Sequence, residues 1–184
     1  REFVLPRIET NAHRIYFSPE LHFMEPYIVK SGDHLSKIAK RYRVPWEYLA
    51  KLNQVEPKRI RADQRLKVIK GPFSALVDLR EYSISIHAHG YFVCQYPIGV
   101  GKDNSTPVGK FKILGKIENP QYTNPQGIVV ESDDPNNPLG EHWLDLGNSY
   151  GIHGTIDPDS IGKSESKGCI RMRNEDVAEV YQLL

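Results

Sequence analysis

Cysteine is scarce in this 184-residue chain, which has two, Cys94 and Cys169. Two cysteines make no disulfide framework, and no spacing favours even a single bridge between them, so the compartment stays open on cysteine count. Long apolar runs are also missing. Nothing approaches the roughly 20 apolar residues of a membrane-spanning helix, so no integral membrane segment is expected in this sequence. No basic-then-apolar leader stands at the amino terminus, which places any signal or anchor outside the sequence. Net charge is only +1, and nucleic acid is not an expected partner. What is present reads as globular: 39% hydrophobic, 26% charged, with 14 glycines.

The charge is near zero in sum but uneven along the chain. Residues 27–70 hold twelve Lys and Arg against four Asp and Glu, and from Gly71 onward the count is nine against fifteen. Such a change of character suggests a domain boundary near Gly71-Pro72. The basic segment is either a solvated surface or one that draws an anionic partner. Residues 1–26 carry three prolines and no sustained period, as in a linker or the end of an unseen segment.

In residues 27–70, "YIVK" has the β-branched content of a short strand. Asp33 is a candidate N-cap before a helical stripe of Leu35, Ile38, Ala39 and Tyr42. Pro45 can open a second helix, buried through Leu49, Leu52 and Trp46, and "RLKVI" closes the unit as a strand. This βααβ order, with "VKSGDHLSKIA", "LAKLN" and "IRADQRLKV", resembles the lysin motif (LysM), a module that binds N-acetylglucosamine-containing chains such as peptidoglycan. The resemblance implies a shallow sugar groove between two loops, Gly32, Asp33, His34 and Leu35 on one side and Arg59, Ile60, Arg61 and Ala62 on the other. Backbone amides there can read acetamido groups while Ile60 supports a sugar ring; alternatively Leu35 and Ile60 are core residues.

From Phe73 the period changes to two. "ALVDL", "SISIHA" and "YFVCQYPI" read as an antiparallel meander, followed by β-like "KFKILGKI", "GIVVES", "HWLDL" and "YGIHG". Cys94 falls in one such strand as a small core residue, and His87 and His89 flank a turn where they face solvent. One helix is expected at the end, with Asn174 as N-cap and Val177, Val180, Tyr181 and Leu184 as its stripe. The expected class is therefore α+β in two domains. A small βααβ module (27–70) precedes a mainly-β domain (71–184), a β-sandwich or partly closed barrel with few helices.

Chemistry concentrates between Ile152 and Arg171. Cys169 lies sixteen positions after His153, too far for one helix face, so only the fold can join them. A thiol with a pKa near 8.5 becomes a useful nucleophile when a base takes its proton, and imidazole can take and return one. Gly168 lets the backbone turn N–H groups toward a developing oxyanion, and Arg171 can grip a carboxylate with its planar fork. His142, His153 and Cys169 match no zinc spacing, so neither metal nor cofactor is expected.

The run "IHGTIDPDSIGKSESKGCIRMRNEDVAEVY" resembles the catalytic signature of the L,D-transpeptidases of YkuD type, and "GVGKDNSTPVGKFKI" resembles their Thr-Pro-x-Gly stretch through Thr106, Pro107 and Gly109. The resemblance implies a cysteine acyltransferase acting on peptidoglycan. Cys169 would be the nucleophile and His153 the base, with Ser166 and the Gly154 carbonyl orienting the imidazole. Amides of Lys167, Gly168 and Cys169 would form an oxyanion hole, with Arg171 steadying the cysteine loop or substrate carboxylates. Lys167 stands where the family has histidine; its ammonium would favour the thiolate. The implied reaction releases terminal D-alanine from a tetrapeptide stem through a Cys thioester and forms 3-3 cross-links, with LysM holding the enzyme to glycan strands outside the cytoplasmic membrane. A non-catalytic wall-binding scaffold and an L,D-carboxypeptidase using water as acceptor are the alternatives.

Overall fold

A computed structural model describes residues 5–124 and 126–184. Residues 1–4, within the stretch read as a linker, and Pro125, within the span read as catalytic, lie outside the described residues. The chain forms two compact units. One runs through Leu76 and includes Ser85–Cys94 and Gln182–Leu184; the other comprises Val77–Ile84 and Gln95–Tyr181.

In the first unit α1 (Leu5–Tyr16) is followed by β1 (Tyr27–Ile28), α2 (Leu35–Tyr42), α3 (Trp46–Asn53) and β2 (Arg65–Leu66). The two short strands pair antiparallel, Tyr27 opposite Leu66. Leu35, Ile38 and Ala39 bury one face of α2, and Tyr48, Leu49 and Leu52 bury that of α3. Each side chain so buried contributes about 1.5–3 kcal/mol for the larger apolar residues, enough to hold helices of eight residues that are too short to stand alone.

Three expectations for this unit are corrected. A helix, Leu5–Tyr16, stands where no sustained period was visible, in the stretch read as a linker or the end of an unseen segment, and tertiary contacts close its end. The buried Lys67 ammonium donates to the Arg14 and Ser18 carbonyls at 2.9 and 2.7 Å, and Tyr48 OH donates to the Tyr16 carbonyl at 2.8 Å. Asp33 does not cap α2; its carboxylate accepts the Lys30 N–H and the Tyr27 hydroxyl, both at 2.8 Å, tying the turn after β1. Trp46 is 42% exposed, and Tyr48 takes the buried place instead.

Next come β3 (Phe73–Asp78), β4 (Ser83–Ala88) and β5 (Tyr91–Pro97), a meander in that order. Its alternation is as expected in β4, where Ile84, Ile86 and Ala88 are buried. Cys94 is only half-buried, on the face opposite buried Val93. His87 is not simply solvent-facing: it bonds Ser85 Oγ at 2.9 Å and packs edge-on to Phe92.

The chain continues with β6 (Val100–Gly101), β7 (Gly115–Glu118), β8 (Tyr122–Thr123), β9 (Val129–Val130), β10 (His142–Gly147), β11 (Tyr150–His153), β12 (Ser164–Ser166), β13 (Ile170–Arg171) and α4 (Asn174–Leu183). A four-stranded sheet has the order β13-β11-β10-β7, and β12 pairs with β6. The four-stranded sheet is mixed rather than purely antiparallel, since β11–β13 runs parallel within it, and β6–β12 is a parallel pair. Leu144, Ile152, Ile170, Met172, Val177 and Val180 form the core here. This is the expected mainly-β architecture with few helices.

Candidate active site

The site starts from a tight hairpin. Asn148 and Ser149 join β10 to β11 with φ of 52° and 62°, the positive values of a primed two-residue turn. β11 then runs through Gly151 and Ile152 to His153, and β13 lies parallel beside it, Ile152 opposite Ile170 and His153 opposite Arg171. Side chains alternate along a strand. Ile152 and Ile170 therefore bury one face, while His153 and Arg171 share the other. Cys169 immediately precedes β13, so the parallel pairing carries it alongside Gly151, about two residue steps, or roughly 7 Å along the strand, from His153. The loop of sixteen positions in sequence is closed by strand pairing.

His153 is 4% exposed. Its Nδ1 lies 2.6 Å from the Gly154 carbonyl oxygen. A carbonyl only accepts, so Nδ1 carries the proton and Nε2 keeps a lone pair. Burial pushes this imidazole down to about 4; the Gly154 and Leu139 carbonyls oppose that shift, and the Arg171 charge adds to it. The Trp143 ring, opposite His153 across β10–β11, stacks on it with centroids 5.5 Å apart and planes at 20°. Gly151 makes room, since a Cβ there would collide with the indole.

Cys169 is a resting thiol. It donates to the Ser149 carbonyl at 3.6 Å. Burial raises it above the ordinary thiol value, more than the Gly151 amide and the Arg171 charge lower it. The pair is therefore neutral thiol and neutral imidazole, suited to proton transfer during attack rather than to a standing ion pair.

The cysteine loop corrects three expectations. Ser166 is 2% exposed and turns toward the loop, not the imidazole: its hydroxyl donates to the Cys169 carbonyl at 2.7 Å and accepts the Gly168 N–H at 3.1 Å. That bond engages one of the three amides expected to form an oxyanion hole. Lys167 is exposed, and the cation that acts on the thiol is Arg171. Gly168 is required as glycine, with φ of +126° and the Tyr150 ring where a Cβ would stand. Beneath the loop, Thr106 Oγ1 accepts the Gly101 N–H at 2.7 Å and braces β6 beside β12, while Val108 of the same stretch is 90% exposed. His142 packs on Tyr181. Among the described residues no group of three or more His, Cys, Asp and Glu is placed to hold a metal ion.

The two loops expected to form a sugar groove in the first unit flank a backbone pairing between Val29 and residues 63–64. Val29 donates to the Gln64 carbonyl at 2.9 Å and accepts the Asp63 N–H at 2.8 Å, joining the end of β1 to the loop before β2. Gly32, His34, Arg59, Arg61 and Ala62 are exposed, and Asp33 and Ile60 are half-buried. Leu35 is 2% exposed and belongs to the core, not the loop surface. Arg59 pairs with Glu56 at 2.9 Å.

A sequence profile of the L,D-transpeptidase catalytic domain matches residues 72–184. The chain belongs to the L,D-transpeptidase family. A LysM profile matches residues 27–68. The Bacillus subtilis protein YkuD, named as an L,D-transpeptidase, is 35% identical over 170 residues, covering 88% of this chain and 94% of its own. B. subtilis YqjB, similarly named, is 41% identical over 96 residues, 48% of this chain and 53% of its own. An L,D-transpeptidase structure from Mycobacterium smegmatis superposes with a TM-score of 0.52 at 17% identity, over 66% of this chain and 59% of that one.

Two further residues of this L,D-transpeptidase, Trp143 and Asn137, take structural places that no local pattern announces. Trp143 was visible only as part of an alternating strand, and nothing local says that its ring meets an imidazole. Asn137, 2% exposed, organises the segment before β10: its side chain donates to the Pro120 carbonyl at 2.7 Å and accepts the Leu139 N–H at 3.0 Å. The asparagine and proline cluster "DDPNNP" marked a turn, but not which asparagine turned inward.

Proposed function

We propose that this enzyme acylates itself at Cys169 with the stem peptide of peptidoglycan and passes the acyl group to an amine of a neighbouring stem. The observation that carries this reading is the parallel pairing of β11 with β13, which sets Cys169, just before β13, alongside Gly151 two positions from His153, with His153 Nδ1 engaged by Gly154 and Nε2 left as acceptor. As sulfur attacks the carbonyl of the L-centre residue before terminal D-alanine, Nε2 takes the thiol proton and the S–C bond forms. Backbone N–H groups of the cysteine loop hold the oxyanion. The C–N bond then breaks, and the imidazolium returns its proton to the departing D-alanine amine. An acceptor amine attacks the thioester, gives its proton to Nε2, and releases the thiol with a link between third stem residues.

Arg171 reads the carboxylates of the stem, and the exposed Gly32–His34 and Arg59–Ala62 loops hold glycan strands. Binding to the polymer raises the local concentration of stems at the catalytic unit. Such a substrate lies outside the cytoplasmic membrane, attached to the cell wall, and no described helix is long and apolar enough to cross a membrane.

The test is intact mass after incubation with a carbapenem, run on the parent, Cys169→Ala and His153→Ala, followed by product analysis with tetrapeptide stems. One adduct in the parent, none without Cys169, a slowed reaction without His153, and a linked dimer as product are expected. Absence of an adduct in the parent would overturn the acyl-enzyme, and free tripeptide acid without dimer would assign water as the acceptor.

A further inference from the structure

The Gly154–Thr155 peptide is held at both ends. Its carbonyl accepts His153 Nδ1–H at 2.6 Å, and its N–H, on Thr155, donates to Asn174 Oδ1 at 3.0 Å. A peptide unit is planar, so fixing the N–H fixes the direction of the carbonyl. Asn174 opens α4, where its side chain was expected to cap the helix; instead its oxygen reaches back to the end of β11. Two glycines make that approach possible. A Cβ at Gly154 or at Gly140 would collide with the same Asn174 oxygen, and Gly140 also has φ of +63°. Three separated parts of the chain thus converge on one peptide plane.

We propose that Asn174 is a positioning residue for the base: its side-chain oxygen orients the Gly154–Thr155 peptide so that the Gly154 carbonyl meets His153 Nδ1. This rests on His153 serving as the base in the reaction above. The physical argument is serial. Nδ1–H bonded to a fixed carbonyl selects the tautomer with its lone pair on Nε2. If the peptide rotates, the ring loses that selection, and part of the population carries its proton on the nitrogen that should accept one. The hydrogen bond from the peptide N–H also polarises the carbonyl that the imidazole faces. Asn174 touches neither the thiol nor the substrate in this role, so its effect should appear in the imidazole. Arg171 and the Leu139 carbonyl, which also face His153, stay unchanged in the variants below.

Asn174 is itself exposed, so replacing it removes little buried surface. The full chain is compared as parent, Asn174→Ala and Asn174→Asp. One readout is the rate of Cys169 acylation by a carbapenem across pH, and the other is the ring-nitrogen NMR signature of His153. Asn174→Ala should slow acylation by about tenfold or more and turn a single Nδ1–H tautomer into a mixture. Asn174→Asp keeps an acceptor for Thr155 N–H, so it should keep the tautomer, restore most of the rate and raise the titration midpoint of His153. An unchanged tautomer in Asn174→Ala, or an aspartate variant as slow as the alanine one, overturns the proposal. If Asn174→Ala fails to fold, Asn174→Asp decides alone: a kept tautomer with a raised midpoint supports the proposal, and an unmoved midpoint refutes it. A parent that forms no adduct would sink the acyl-enzyme instead, while the NMR arm still judges Asn174.

Discussion

Acid should weaken the catalytic unit through one residue. In the fold, His153 is held down to about 4 because its charged form would be buried; in the unfolded chain an imidazole titrates near 6.5. Between those values the unfolded state binds a proton that the native state refuses, so stability falls as pH drops below about 6.5 and levels off near 4. The gap corresponds to about 3 kcal/mol at completion, with most of it lost by about pH 4.5. Urea unfolding on a Trp46→Phe background leaves Trp143 as the sole tryptophan, stacked on the imidazole that titrates. The comparison is with His153→Gln in the same background, so that carboxylates common to both cancel. The parent should lose about 3 kcal/mol more than the variant between pH 7 and 4. A thiolate–imidazolium pair at rest would raise the histidine instead of lowering it, and the difference would change sign. Parallel curves, or that opposite sign, would refute the neutral-pair reading.

Three further outcomes follow from single contacts. Alkylation of Cys169 by iodoacetamide should keep rising with pH through 9, because burial raises the thiol above its ordinary value; a plateau reached near pH 7 would contradict this. Ser166→Ala leaves the Gly168 N–H and the Cys169 carbonyl without their shared partner and should cost about 1–3 kcal/mol, with slower carbapenem acylation; wild-type urea midpoint and rate would show that the hydroxyl does not organise the loop. Lys67→Met removes the ammonium that closes α1, and amide exchange across Leu5–Tyr16 should accelerate about tenfold or more; unchanged protection would mean that the helix is held by other contacts.

Where patterns are local, the sequence was readable. The βααβ order and the stripe Leu35, Ile38, Ala39 follow from periods of two and 3.6, and the structure reproduces both. The motif around Cys169 and His153 pointed to the pair proposed to react, and His153 Nδ1 does lie against the Gly154 carbonyl. Hydrogen-bond assignments fared worse. Asp33 and Asn174 were expected to cap their helices and Ser166 to hold a distant imidazole, and each bonds elsewhere, Ser166 within its own loop. Short polar side chains have several partners within reach in any loop, and which one wins depends on what the fold brings near. Trp46 and Tyr48 likewise exchanged places, since two aromatics two positions apart on a short helix leave its buried face ambiguous.

By itself the sequence determined the family, the two kinds of architecture and the residue types of the site, because spacing, periodicity and glycine placement are properties of the chain. Only the tertiary structure decided the electrostatic state of the pair. Burial of His153 against Trp143 and the parallel pairing of β11 with β13 give a neutral imidazole two strand positions from a neutral thiol. Desolvation is a property of surroundings, and those surroundings are assembled from segments distant in sequence.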